Sequence, residues 1–128
     1  MRRLYVLALI FPLAVACGGH SKSSAPGGPA SHWVTVEHLP QSAAPGAELF
    51  ASKGCLTCHT YAGSGHTVLN APDLTAIGTK KLGIRFQIAH LKCPSCVIKD
   101  SSMPPSSSLT PTQLHQLAVF LEASKGTH

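Results

Sequence analysis

Three patterns of apolar and polar positions divide the chain. After Met1-Arg2-Arg3, an apolar run from Leu4 to Ala16, broken only by Pro12, has the form of a secretory signal peptide, expected over 1–16. From Gly18 to Ala44 the chain is rich in Ser, Gly, Pro and Ala and has no sustained apolar period, so 17–44 reads as a flexible tether. Within it, Trp33, Val34 and Val36 form a brief apolar patch, and Trp33 is expected to be an exposed linker aromatic. Helical spacing begins only after that, and the folded domain is expected over 45–128. Pro45 to Lys53 predicts a helix with proline in its first turn, stopped by Gly54. Lys81 to Leu91 predicts a middle helix, with Leu82, Phe86, Ala89 and Ile88 facing inward. Thr110-Pro111-Thr112-Gln113 is a capping box opening a last helix, whose Leu114, Leu117, Ala118 and Leu121 share one face and which ends by Gly126.

Composition narrows this picture. A chain of 128 residues, 44% hydrophobic and 12% charged, suits one small globular domain. Loss of Arg2 and Arg3 with the signal takes the formal charge from +5 to +3. No basic run interleaved with aromatics is present, so nucleic-acid binding has no support. A mild positive bias suits a protein partner with an acidic docking patch.

Chemistry concentrates at Cys55-Leu56-Thr57-Cys58-His59. Two thiols two residues apart can reach two vinyl groups on one porphyrin edge, and the histidine directly after them can turn under the ring to bind iron. This spacing points to one covalently attached haem c. A thioredoxin-like redox pair needs a βαβ setting, and a zinc site needs further ligands; both are competing readings of the same cysteines.

With these residues in place, the stretch from about Pro45 onward resembles the class I c-type cytochromes. The resemblance implies a small all-α fold in which the N- and C-terminal helices cross beside one haem, with Gly46 and Phe50 meeting Leu117, Phe120 and Leu121. It also implies that Pro72, in Asn70-Ala71-Pro72-Asp73-Leu74, offers its carbonyl to the His59 ring, and that Leu74 packs on the haem face. Ser101-Ser102-Met103-Pro104-Pro105 resembles the loop that delivers the distal methionine, making Met103 the expected sixth iron ligand opposite His59. A thioether favours ferrous iron, and the prolines after it stiffen the loop. His66, His90 and His115 are the alternatives, expected at the surface or half-buried.

Leu13-Ala14-Val15-Ala16-Cys17 resembles a bacterial lipoprotein cleavage box, which implies lipid on Cys17 and anchoring on the periplasmic side of a membrane; an ordinary cleaved signal or an uncut anchor are the other readings. Cys93-Pro94-Ser95-Cys96 lacks a following histidine and is expected as a local disulfide in an oxidising compartment, or as a redox-active pair coupled to Met103. The expected function is single-electron transfer between redox proteins outside the cytoplasm, without a small-molecule substrate and without enzymatic activity. A haem module of a larger dehydrogenase or oxidase complex and a haem-based sensor are the alternatives.

Overall fold

The computed structural model describes residues 28–126. The signal segment and Cys17 lie outside them. The fold is all-α: α1 (Pro29–Val36), α2 (Ala44–Ser52), α3 (Ile84–Lys92), the short α4 (Pro94–Val97) and α5 (Pro111–Ala123). The described strands, β1 (Thr60–Tyr61) and β2 (Ser64–Gly65), form one antiparallel hairpin, closed by Ala62 and Gly63, both at positive φ. Among the described residues, no helix is long and apolar enough to cross a membrane.

The ends of α2 and α5 follow from local chemistry. The Thr110 hydroxyl accepts from the Gln113 N–H at 3.3 Å, and the Gln113 side chain accepts from the Thr110 N–H at 3.0 Å, so two otherwise orphaned donors at the start of α5 are satisfied. Pro111 and Pro45 occupy first-turn positions, where no N–H is needed. Beyond α2, Gly54 turns left-handed at φ 82 and releases the chain into the cysteine motif. The two helices cross at Gly46, where a Cβ would overlap the Gln116 carbonyl oxygen and lie 2.5 Å from Cβ of Phe120. Phe50 meets Phe120 at a ring separation of 5.5 Å. The expected crossing of the terminal helices is therefore present.

Two expectations need correcting. Trp33 is fully buried, not exposed, and α1 packs on α2; for residues 28–44 a flexible tether is not what forms. The indole ring lies 4.9 Å from Tyr61, 6.0 Å from Phe50 and 6.3 Å from Phe120, so it completes a four-ring cluster beside the helix crossing. His38, at φ 50, turns the chain back after α1 and Leu39 is buried behind it. Eight helical residues with one dominant anchor make too short a period to register in the pattern. The middle helix also begins three residues later than expected, because Gly83 at φ 87 and ψ 155 interrupts it. Its buried residues are Gln87 and Leu91, while Ala89 is exposed and Leu82 and Phe86 face a cavity. Gln87 turns inward because its amide donates to Glu122 on α5 at 2.8 Å.

The cluster carries a pH dependence. Tyr61 is fully buried, its hydroxyl pairs with Ser124 at 2.8 Å, and burial pushes its phenol up to about 12. The folded protein thus holds this proton more tightly than the unfolded chain, whose phenol titrates near 10. Its contribution, about 3 kcal/mol at most, is complete below pH 10 and is lost as pH rises towards 12. Denaturant midpoints between pH 9 and pH 12 are expected to fall more steeply in the parent protein than in Tyr61→Phe; parallel curves would contradict this.

Candidate functional site: a cavity ringed by thiols, imidazole and thioether

The chain leaving α2 makes a tight turn over Cys55–Thr57, in which the Cys58 and His59 N–H groups both donate to the Cys55 carbonyl, at 3.2 and 2.9 Å. The Thr57 hydroxyl secures the turn by donating to the Gly54 carbonyl at 2.6 Å. Gly65 is required beside it, since a Cβ there would run into the His59 carbonyl and the Leu56 side chain. Cys55 and Cys58 are free thiols, both half-buried. Burial pushes the Cys55 thiol up to about 11, its own backbone N–H opposing this and Cys58 adding to it.

Both sulfurs and the His59 ring open on a cavity of about 720 Å³, within the usual range of roughly 300–1,000 Å³ for small-molecule and cofactor sites. Phe50, Leu74, Phe86, Leu91, Leu117 and Leu121 supply apolar wall, and Met103 enters from the loop ahead of α5. That loop is pinned to the end of α3 by the Ser106 N–H donating to the Leu91 carbonyl at 2.8 Å. Among the described residues, the large exposed hydrophobics Val68, Leu69, Leu82 and Ile98 all line this cavity. A large flat apolar group seated there would remove that surface from water, so the residues present fit a porphyrin.

His59 Nδ1 donates to the Pro72 carbonyl at 2.8 Å, which leaves Nε2 with its lone pair for a metal. Pro72 and Leu74 line the cavity. Of the alternative ligands, His66 and His115 are exposed and do not line it. His90 does: it stacks on Phe86, its Nδ1 is buried without a partner, and burial, then the charge of His59, lowers its pKa. Cys93 and Cys96 are joined by a disulfide with their Cα atoms 5.3 Å apart, at the junction of α3 and α4. Among the described residues no group of three or more His, Cys, Asp or Glu is arranged to hold a metal, which leaves the zinc reading of Cys55 and Cys58 without further ligands.

Sequence reasoning missed Thr60, Asp73 and Thr75, which join the attachment turn to the Pro72 segment. The only local signal is Asp-x-Thr after the proline, a spacing in which a side chain bonds its own backbone two residues on.

The sequence model of the cytochrome c family matches residues 43–125. The chain belongs to the cytochrome c family. Membership implies covalently bound haem c, and makes this a haem-binding electron-transfer protein. Cytochrome c domains are typically electron carriers rather than enzymes, have redox proteins as partners and usually work outside the cytoplasm. No curated protein and no solved structure gives a significant match. The helix α1 and its Trp33 precede the matched region.

Proposed function

We propose that this cytochrome c carries a single haem, which Cys55 and Cys58 would hold through thioethers and whose iron His59 and Met103 would bind, and passes single electrons between redox proteins on the periplasmic side of a bacterial membrane, held there by lipid on Cys17. The observation that carries this reading is the convergence on one apolar cavity of two free thiols, an imidazole oriented by the Pro72 carbonyl, and the Met103 thioether. When bound, the haem supplies a ferric–ferrous couple for one electron. The protein's part is to exclude water with the walls from α2, α3 and α5, to hold His59 in one tautomer, and to present Met103 on a loop stiffened by Pro104 and Pro105. Lys53 and Lys80 at the cavity rim favour an acidic partner.

Protein exported from a host competent in cytochrome maturation is expected to show the pyridine haemochrome of a c-type haem, with an intact mass raised by one haem and by the lipid. Colourless protein of unmodified mass would refute the proposal. Met103→Ala is expected to lower the reduction potential by more than about 60 mV, a tenfold loss of preference for ferrous iron. Potentiometric titration reads this directly, and an unchanged midpoint would remove Met103 from the iron.

A further inference from the structure

Two stretches, 59–62 and 72–75, run side by side and are joined at a repeated offset of 13 positions. His59 Nδ1 donates to the Pro72 carbonyl at 2.8 Å, the Thr60 hydroxyl donates to Asp73 Oδ2 at 2.5 Å, and the Ala62 N–H donates to the Thr75 hydroxyl at 2.8 Å. The Leu74 N–H adds a bond to the Thr60 carbonyl at 2.9 Å. Asp73 also accepts from the Thr75 N–H through Oδ1 at 2.9 Å, so its carboxylate is gripped from both sides.

The Pro72 carbonyl depends on its neighbours for its position. Proline has no N–H with which to anchor itself. The last backbone bond from the preceding stretch to the attachment turn is the Val68 N–H to the Cys58 carbonyl at 3.2 Å, four residues upstream, and residues 66–70 are exposed, with Leu69 and Asn70 both at positive φ. The first side-chain tie after that carbonyl is Asp73, and it goes to Thr60, the residue directly after His59. A hydrogen bond onto a carboxylate is roughly twice as strong as one between neutral groups, so this pair is the firmest link in the seam.

We propose that Thr60 and Asp73 are positioning residues that hold the Pro72 carbonyl on His59 Nδ1, and so set how strongly His59 donates to the haem iron. The proposal rests on His59 being an iron ligand. A carbonyl on Nδ1–H makes the opposite nitrogen more basic, and a more basic ligand favours ferric iron. An intact clamp therefore holds the reduction potential down, and a loosened one lets it rise.

The test uses haem-loaded protein. Haem content is measured first; wild-type protein that takes up no haem contradicts the functional reading rather than the clamp. Thr60→Val removes the clamp's donor without changing charge. It is expected to move the midpoint to a more positive potential and to speed exchange of the His59 Nδ1 proton by about tenfold, followed by NMR of the diamagnetic ferrous protein. Asp73→Ala is expected to shift the potential further, because a negative charge also leaves, while the double variant goes no further than Asp73→Ala alone. Thr60→Ser restores both readings. Wild-type potential and exchange in Thr60→Val holoprotein, or shifts that add in the double variant, would overturn the clamp. If Thr60→Val does not accumulate with haem, Asp73→Asn serves instead. A positive shift with faster exchange supports the clamp; a shift at unchanged exchange reflects charge alone and refutes it.

Discussion

The Cys55→Ala, Cys58→Ala protein, exported from a host that attaches haem, is expected to lack covalent haem and to show no cooperative melt. The cavity of about 720 Å³ is lined by α2, α3, α5 and the Met103 loop, so it borders the packed core along Phe50, Leu91, Leu117 and Leu121. Without its occupant, Val68, Leu69, Leu82 and Ile98 stay in water, and Phe86 has the cavity on one side. A small domain has a net stability of only about 5–15 kcal/mol, and losing a large apolar body packed against its core removes most of it. The packed remainder is the aromatic cluster with the helix crossing, which is expected to keep residual helix. Circular dichroism through a thermal ramp is the measurement, and a sharp transition near that of the parent protein would show that the fold does not need its cofactor.

Trp33→Ala is expected to cost the haem-loaded protein about 3–5 kcal/mol, the usual range for emptying a large buried aromatic site. The indole contacts Phe50, Tyr61 and Phe120, which come from α2, the hairpin and α5, so one truncation unseats three elements. Phe50 also lines the cavity, so the loss is expected to reach the haem environment and not only the melting point. Guanidinium titration of parent and variant gives the difference. A change below about 0.5 kcal/mol, the ordinary size for a surface position, would return residues 28–40 to the status of a tether.

The chemistry of the site was legible because it is encoded within five consecutive residues. Cys55, Cys58 and His59 need only a tight turn to face one way, and Gly54 supplies its entry. Both terminal helices were legible for a similar reason: Thr110, Gln113, Pro111 and Pro45 act within a single turn of their own backbone. The middle helix was half legible. Its composition is helical, but the face it buries is decided by Glu122, which draws Gln87 inward, and by the cavity, which Leu82 and Phe86 line although neither is fully buried. His90 shows the same limit, since an imidazole on that helix is a surface group or a cavity wall depending on where the Met103 loop lies.

What the chain determines by itself is local: capping, turn entry, cysteine spacing, and the attachment chemistry that follows from them. Tertiary structure alone decided that Trp33 is core and that Thr60 lies beside Asp73, because these depend on where segments distant in sequence come to rest. Burial of an indole needs Tyr61 and Phe120 to arrive around it, and the seam next to His59 needs two short stretches, 13 positions apart in the chain, to lie side by side. Short-range hydrogen-bond geometry is written in neighbouring residues, whereas desolvation and long-range pairing exist only once the chain has closed on itself.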